Sequence, residues 1–478
     1  MFAMNFNGMK KIILLINCAL FFIAYMAFNS SCAVIVPPTG GPKDTIPPRL
    51  VAALPKDSAL NVSTKKITLT FDEFVTAKEY QQNLIVSPNP KSLPLVEYKY
   101  RNVTIKLKDS LEPNTTYSIN FGNTIKDVNE GNIAKNFTYI FSTGNYIDTA
   151  SFHGKVMIAE TGKNDSTLIV VLYKDLNDTA VIKNTPRYYA RTDSKGNFYF
   201  KNLPNGTFKA YVMPDDFNKK YDDSTKMFGF LDSAVTLSSS TKEVTFYAFE
   251  EEKRKERKKS GSLAQPVPVN PKNIKMDKQV KVKALLDNGK QDLLNEFTLE
   301  FNKKLKTIET DKIHLYDTLF HPQEPVSFTT DSTFTKISIK HPWKEDFSYK
   351  LILAKDAVAD SLGSTLAKTD TLSFTTKRES NYGSIRFRFP NADTSKHPVL
   401  LIMNNDKIFE SYSITQNQLF IKLFQPGDYE LRVLFDRNRN KKWDTGNFKN
   451  KIQPEIVKDL KKKITVKADY DNEFDINF

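Results

Sequence analysis

The sequence predicts an all-β protein made of tandem β-sandwiches. Short runs alternate between apolar and polar residues, as in Lys66–Phe71, where Ile67, Leu69 and Phe71 fall on one side of a strand. Clusters of Pro, Asn and Gly separate these runs as turns would. The chain has 35 Phe and 20 Tyr but only 2 Trp, which suits half-buried strand faces. Its 478 residues allow about three or four domains.

Composition and charge narrow the class of protein. Hydrophobic residues make up 40% and charged residues 26%, which excludes collagen-like, wholly disordered and polytopic membrane proteins. The net charge of +14 is spread along the chain. The densest basic run, Lys253–Lys259, directly follows Glu250, Glu251 and Glu252, a mixture typical of a solvated linker. We therefore expect no nucleic-acid partner.

Residues 1–31 have the pattern of a signal peptide. Lys10 and Lys11 precede an apolar run that continues to Phe28, followed by small polar residues. Of the two cysteines, Cys18 lies inside this run, so Cys32 is the thiol that cleavage would leave. A disulfide framework is therefore not expected.

The segment Asn29-Ser30-Ser31-Cys32 resembles the lipobox of bacterial lipoproteins. The resemblance implies cleavage before Cys32, acylation of its sulfur and amine, and membrane attachment through the lipid. Ala33 follows, where an Asp would mark inner-membrane retention, so the resemblance implies an outer-membrane lipoprotein facing the periplasm or the surface. The Pro- and Gly-rich residues 32–44 read as a tether.

Residues 45–144, module 1, resemble the bacterial Ig-like domain of surface-layer proteins. The resemblance is carried by Asp44-Thr45-Ile46-Pro47-Pro48, Phe71-Asp72-Glu73, Leu111-Glu112-Pro113-Asn114-Thr115-Thr116-Tyr117 and Phe141-Ser142-Thr143-Gly144. Residues 151–250, module 2, contain a continuous apolar run, Leu168–Tyr173, and the turn sequence Asp193-Ser194-Lys195-Gly196-Asn197. Module 2 resembles the carboxypeptidase regulatory-like, transthyretin-like sandwich, which implies an accessory module without catalysis.

The second half repeats the first. Phe297–Phe301 echoes Ile67–Phe71, and Leu423–Tyr429 echoes Leu203–Phe208. Residues 279–376 therefore form module 3, a divergent Ig-like copy, and residues 381–478 form module 4, a second regulatory-like sandwich. The charged and Pro-rich residues 251–278 link the halves, which we expect to fold independently with few core contacts between them.

Motifs for catalysis do not stand out. The five histidines show no zinc-binding spacing, and no nucleophile elbow, phosphate loop or dinucleotide fingerprint is present. The adjacent acids Asp72 and Glu73 would point to opposite faces of a strand. We therefore predict that the protein is not an enzyme and has no catalytic residues.

One loop has the spacing of a cation site. Oxygen-bearing side chains occur at positions 1, 3, 5 and 9 of a turn, as in loops that bind Ca²⁺, namely Asp436, Asn438, Asn440 and Asp444. Four cations, Arg437, Arg439, Lys441 and Lys442, lie among them and oppose such a role. A calcium site and a solvated Asn-rich turn anchored by Trp443 both remain open. Otherwise no cofactor is expected.

The sequence thus predicts a non-catalytic, lipid-anchored cell-envelope protein that acts as a structural spacer or as a protein- or glycan-binding module. An envelope protein or a glycan is the expected partner besides the membrane. The alternative is a periplasmic accessory subunit of an export or polysaccharide system, and a hydrolase comes third.

Overall fold

A computed structural model describes residues 6–28, 41, 43–252 and 279–478. Helix α1 (Phe6–Phe28) covers the apolar part of the predicted signal peptide. Among the described residues, no helix is both long enough and apolar enough to cross a membrane. Cys32, most of the tether and residues 253–278 of the linker lie outside the described residues.

Module 1 is a sandwich of two antiparallel sheets. Its elements are β1 (Leu50–Leu54), β2 (Lys66–Phe71), β3 (Val75–Thr76), α2 (Tyr80–Asn83), β4 (Ile85–Ser87), β5 (Leu95–Lys99), β6 (Asn102–Lys106), β7 (Thr116–Asn120), β8 (Lys126–Asp127) and β9 (Thr138–Ser142). One sheet has the order β1-β2-β6-β5 and the other β4-β7-β9, while β3 pairs with β8. The alternating residues Ile67, Leu69 and Phe71 are fully buried between the sheets, as predicted.

Module 2 is a different sandwich, in which one sheet contains a parallel pair. Its elements are β10 (Ala150–Ile158), β11 (Leu168–Tyr173), α3 (Ala180–Lys183), β12 (Tyr188–Arg191), β13 (Asn197–Leu203), β14 (Gly206–Pro214), β15 (Gly229–Phe230), β16 (Val235–Leu237) and β17 (Val244–Ala248). The sheet orders are β13-β10-β17, with β10 and β17 parallel, and β12-β11-β14-β15, with β16 also on β14.

Module 3 repeats the topology of module 1. Its strands are β18 (Val282–Leu285), β19 (Lys290–Gln291), β20 (Phe297–Phe301), β21 (Leu305–Ile308), β22 (Ile313–Asp317), β23 (Ser327–Thr330), β24 (Lys336–Lys340), β25 (Ser348–Leu353), β26 (Val358–Asp360) and β27 (Asp370–Thr376), and it contains a 3-10 turn at Thr310–Lys312. The order β18-β20-β24-β23 matches β1-β2-β6-β5, and the pair β21-β26 matches β3-β8. The second sheet gains the edge strand β19, giving β19-β27-β25-β22.

Module 4 repeats module 2. Its strands are β28 (Gly383–Arg388), β29 (Pro398–Asn404), β30 (Lys407–Ser413), β31 (Gln418–Phe424), β32 (Gly427–Phe435), β33 (Ile456–Val466) and β34 (Asp471–Asp475), with 3-10 turns at Glu379–Asn381 and Thr394–Lys396. The sheets are β31-β28-β34, with β28 and β34 parallel, and β30-β29-β32-β33. The predicted all-β fold in two repeated pairs is confirmed.

Modules 1 and 2 meet through polar contacts near their junction. The Arg187 guanidinium donates to both carboxylate oxygens of Glu112, at 2.7 and 2.6 Å. The Asn89 N–H donates to the Arg187 carbonyl at 2.8 Å. Arg191 reaches the carbonyls of Gln82 and Asn83, so it closes the C-terminal end of helix α2.

Modules 3 and 4 meet around Tyr382. This side chain is buried, and its hydroxyl accepts a hydrogen bond from the Leu293 N–H at 2.7 Å. The Lys377 ammonium lies 2.6 Å from Asp287 and 2.9 Å from Asp292. The junction therefore combines a buried aromatic side chain with a small ion-pair network.

The expectation of two halves with few core contacts between them is wrong. Phe448 of module 4 belongs to the same buried cluster as Tyr211, Phe228 and Phe230 of module 2. The Val457 N–H, on β33, also donates to the Ala159 carbonyl of module 2 at 2.8 Å. In these contacts the modules follow the order 1, 2, 4, 3, which differs from their order in sequence.

Candidate functional site

The loop between β32 and β33 holds the four residues that the sequence singled out. Asp436 is buried and its carboxylate accepts the backbone N–H groups of Asn440 at 3.2 Å and Lys441 at 2.7 Å. The amide nitrogens of Asn438 and Asn440 donate to one oxygen of Asp444, at 2.7 and 2.8 Å. The structure therefore brings Asn438, Asn440 and Asp444 together through amide nitrogens, while Asp436 holds the backbone of the turn.

Glu455, which follows the loop, is a buried carboxylate that sequence reasoning missed. Its oxygens accept the N–H groups of Arg437 at 2.7 Å and Asp444 at 3.1 Å. Burial raises the pKa of Glu455; these two donors oppose the rise, and the negative charges of Asp436 and Asp444 add to it. No local pattern marks this residue, because its partners lie more than ten positions back along the chain.

Module 2 has a shorter loop at the position equivalent to the Asp436 loop of module 4. This loop contains a lysine that pairs with its acidic residues. The Lys226 ammonium lies 2.5 Å from Asp216 and 2.6 Å from Asp222. Burial of Lys226 opposes its charge, but these two carboxylates hold the pKa of Lys226 above its ordinary value. In module 4 the amides of Asn438 and Asn440 donate hydrogen bonds to the Asp444 carboxylate instead.

Metal binding at the module 4 loop stays a prediction. Within residues 6–28, 41, 43–252 and 279–478, no group of three or more His, Cys, Asp or Glu side chains is arranged to hold a metal ion. For Ca²⁺ to bind beside Asp444, the Asn438 and Asn440 amides would have to turn their oxygens toward the ion. The observed hydrogen bonds direct the amide nitrogens of Asn438 and Asn440 toward Asp444.

The segment that follows the turn docks module 4 onto module 2. Trp443 is partly buried and its indole N–H donates to the Glu455 carbonyl at 2.8 Å. The Thr445 hydroxyl donates to the Glu250 carbonyl at 2.6 Å, and the Phe448 N–H donates to the Glu251 carboxylate at 2.8 Å. The loop thus organises the contact between modules, a role that its sequence pattern did not indicate.

Two glycines allow the modules to approach closely. A Cβ atom on Gly446 would lie 2.6 Å from the Phe249 ring and 2.8 Å from the Ile452 carbonyl oxygen. Gly162 of module 2 has φ of +68°, and a Cβ there would lie 2.5 Å from the Asp459 nitrogen. Any side chain at either position would push the modules apart.

Charged residues at the margin of this interface pair between modules. The Lys451 ammonium lies 2.7 Å from Asp178, and Lys163 lies 2.6 Å from Asp406. Burial acts against the ionised form of Asp178, but Lys451 and Tyr211 hold the pKa of Asp178 below its ordinary value. Because these pairs are partly exposed, they contribute specificity more than stability.

A cleft of about 630 Å³ opens between modules 1 and 2. Its walls include Tyr117, Tyr173 and Lys174, together with the Arg187–Glu112 pair. Both tyrosine hydroxyls are engaged with the protein, since Tyr117 accepts from the Glu112 N–H and Tyr173 donates to the Asn184 carbonyl. The cleft offers charged groups to a polar ligand, whereas both tyrosine side chains are largely buried in its walls.

Comparisons with known proteins identify one of the four modules. Residues 44–143 match the family described as the bacterial Ig-like domain, so the predicted nature of module 1 is confirmed. No curated protein matches the sequence. The resemblance of modules 2 and 4 to transthyretin-like sandwiches remains a prediction.

Solved structures share only a general likeness with this chain. A fragment of α2-macroglobulin from Escherichia coli is 10% identical, with 40% of this chain and 90% of that chain covered and a TM-score of 0.20. The TIE protein of Bacillus anthracis is 12% identical, with coverage of 92% and 76% and a TM-score of 0.17. BcpA, the major pilin subunit of Bacillus cereus, is 11% identical, with coverage of 68% and 99% and a TM-score of 0.17.

Proposed function

We propose that this chain is a non-catalytic, lipid-anchored protein of the bacterial outer membrane whose four sandwiches act as a stiff spacer. The proposal is carried by the buried contact between modules 2 and 4, in which Phe448 is only 6% exposed. A buried contact of this kind restricts the motion of modules 2 and 4 relative to each other, as a stiff spacer requires. Cys32 would provide the lipid anchor at one end of the spacer.

In this proposal module 3 lies at the end of the spacer remote from the anchor. Modules 1 and 2 join through Arg187 and Glu112, modules 2 and 4 through Phe448, and modules 4 and 3 through Tyr382. Each junction combines hydrogen bonds with packing or with ion pairs. We infer that this arrangement keeps modules 3 and 4 at a fixed distance from the membrane.

The cleft between modules 1 and 2 supports a second role as a binding module. The exposed Lys174 ammonium and the Arg187–Glu112 pair in its walls suit a glycan or a polar peptide of the envelope. Titration of the full chain with envelope glycan fragments tests this role. Heat of binding that Lys174→Glu abolishes would support it, and no heat with any fragment would count against it.

Acylation tests the anchor directly. Cells expressing the protein are labelled with a clickable fatty acid, and the mature N-terminal peptide is analysed by mass spectrometry. We expect label on Cys32, protein in the outer-membrane fraction, and loss of label in Cys32→Ala. Loss of label is the decisive measurement, because Cys32→Ala would also leave the apolar export segment uncleaved and membrane-bound.

A mature chain that begins elsewhere or carries no acyl group at Cys32 would rule out the anchor. Cys18→Ala is the matched control, since Cys18 lies within helix α1 of the export segment. This variant should keep the label unchanged.

A further inference from the structure

Module 1 exposes an apolar surface where the chain arrives from the tether. Phe74, Tyr100 and Val128 form this surface, here called the aromatic tip, and are 51%, 65% and 58% exposed. The rings of Phe74 and Tyr100 lie 5.7 Å apart, and the Val128 N–H donates to the Phe74 carbonyl at 3.1 Å. Three adjacent apolar side chains are therefore presented to solvent together.

Backbone hydrogen bonds fix the turn that carries these side chains. The Val75 N–H donates to the Tyr100 carbonyl at 2.9 Å, and Tyr100 has φ of +55°. Burying the apolar groups against other residues of module 1 would require this turn to rearrange. The exposure is thus built into the fold of the module.

The chain joins module 1 beside the aromatic tip. The Arg49 N–H donates to the Asp72 carboxylate at 2.8 Å, two residues before Phe74. The Asn132 amide donates to the Asp44 carbonyl at 3.0 Å, in the loop that follows Val128. Ile46, on the same incoming segment, is 52% exposed.

The length of the tether keeps this end of module 1 close to Cys32. Residues 33–43 separate Cys32 from Asp44, so even a fully extended chain spans only about 40 Å. A lipid on Cys32 therefore confines the aromatic tip to the region near the bilayer surface. Acylation of both the sulfur and the amine of Cys32 would hold this end of the chain firmly at the membrane, so a second contact is needed only to orient module 1.

The chemistry of the tip suits the interfacial layer of a membrane. The Lys99 ammonium lies 5.3 Å from the centre of the Tyr100 ring, and the Arg101 guanidinium 6.0 Å from that of Phe74. Aromatic rings concentrate at the level of lipid headgroups, where long cationic side chains extend to the phosphates. The acids around Glu73, namely Asp127, Asp72, Asp44 and Glu130, oppose these cations, so the contact depends on the apolar groups and not on net charge.

We propose that the aromatic tip inserts into the headgroup layer of the outer membrane and fixes the orientation of module 1 on the bilayer. This inference rests on the proposed lipid anchor at Cys32. It adds a lipid surface as the partner of a second region of the chain.

Module 3 supplies a matched control. The Leu305 N–H donates to the Phe334 carbonyl at 2.8 Å, as Val75 does to Tyr100, and Phe334 has φ of +57°. Phe334 is 46% exposed, but Lys304 takes the position of Phe74. The same turn thus occurs twice, once beside the tether and once in a module remote from it.

Tryptophan fluorescence tests the contact. Tyr100→Trp and Phe334→Trp are introduced separately into the full acylated protein, which is reconstituted in phosphatidylethanolamine and phosphatidylglycerol vesicles with brominated acyl chains. We expect Tyr100→Trp to add emission that is shifted to shorter wavelength and quenched, and Phe334→Trp to add unquenched emission. The native Trp343 and Trp443 give the same background in both variants.

Further variants separate the tip from the anchor. Phe74→Ser should reduce the quenching of Tyr100→Trp, and added salt should leave it almost unchanged. Mass spectrometry of the same samples reports acylation at Cys32 independently. If Cys32 carries no acyl group but Tyr100→Trp is still quenched, the membrane contact of the aromatic tip would be supported and the lipid anchor would be refuted.

Three outcomes would overturn the proposal. These are no quenching of Tyr100→Trp in vesicles, equal quenching of Tyr100→Trp and Phe334→Trp, or a photocrosslinker at position 100 that captures an envelope protein instead of lipid. If Cys32 is acylated, any of these outcomes would refute the membrane contact of the aromatic tip without refuting the lipid anchor.

Discussion

The ring of Phe448 lies 4.9 Å from the ring of Phe228, centroid to centroid, at an interplanar angle of 63°. The two residues belong to different modules and different halves of the sequence. Phe448 also meets Tyr211 and Phe230, at 5.6 and 5.3 Å. One phenyl ring of module 4 therefore fills an aromatic socket in module 2.

We predict that Phe448→Ala uncouples the two halves. Removal of a buried phenyl ring costs about 3–5 kcal/mol, here taken from the contact between modules 2 and 4. Differential scanning calorimetry of the full chain should show transitions at lower temperature and further apart than in the wild type. Phe420→Ala, at a 54% exposed position on β31, is the control and should melt like the wild type. Equal effects of the two variants would contradict the socket.

Cleavage of the linker should leave the halves associated. The interface between modules 2 and 4 includes the Phe448 socket, the hydrogen bond from Val457 to Ala159 and the Lys451–Asp178 ion pair. A protease site inserted between Ser260 and Lys278 allows the cut, and size-exclusion chromatography then reports the mass. We expect the fragments to elute together, and the same cut in Phe448→Ala to release them. Separation of wild-type fragments at micromolar concentration would argue against a stable interface.

Modules 1 and 3 carry opposite charges at one equivalent position. In module 3 the Lys303 ammonium lies 2.9 Å from the Asp360 carboxylate and lowers the pKa of Asp360 to about 2. In module 1 the equivalent positions are Glu73 and Asp127. Burial raises the pKa of Glu73, and the charge of Asp127 raises it further, followed by those of Asp72, Asp44 and Glu130.

We predict that Glu73→Lys stabilises module 1 by restoring this pair, by up to about 1 kcal/mol for a partly exposed ion pair. The unfolded chain loses the Glu73 proton near pH 4.5, before the folded chain does, so this residue destabilises the fold increasingly as pH rises through its raised pKa. The gain in melting temperature should therefore be small near pH 4 and larger at pH 7. Glu73→Gln, which removes the repulsion without forming a pair, should show a smaller gain. A gain that is independent of pH would refute the electrostatic explanation.

The Asp436 loop gives a test of calcium binding. Asp436→Ala leaves the N–H groups of Asn440 and Lys441 without their acceptor, at a cost of about 1–3 kcal/mol. We expect this loss in the full chain with chelator, and unchanged melting of the wild type when millimolar calcium replaces chelator. A calcium-dependent rise in wild-type melting that Asp436→Ala abolishes would establish the cation site instead. Asp216→Ala in the loop bridged by Lys226 is the control that should not respond to calcium.

Local patterns predicted the fold because they reflect local physics. The alternation of Ile67, Leu69 and Phe71 specifies one buried face, and the structure buries all three completely. The repeat specified equivalent topologies for modules 1 and 3 and for modules 2 and 4. The same reasoning did not reach Phe448, a lone apolar residue in a polar run, whose partners lie about two hundred residues away.

A signal for the interface was nevertheless present in strand β11. Leu168–Tyr173 is apolar at every position, and every residue of this strand is buried. Leu168, Val170 and Leu172 face the core of module 2, while Ile169, Val171 and Tyr173 belong to the cluster that contains Phe448. A strand that is apolar on both faces in a two-layer sandwich requires a cover on its outer side. Module 4 supplies part of that cover, but the sequence could not indicate which segment would do so.

The order of contacts has a mechanical consequence. A pull applied between modules 1 and 3 would pass through the interface between modules 2 and 4 before it reaches the covalent chain that joins the halves. If that interface opens, the halves stay joined by residues 253–278, whose 26 residues span at most about 90 Å when fully extended. Opening of the interface would then let the two halves separate under tension before any sandwich unfolds, while the linker keeps them joined.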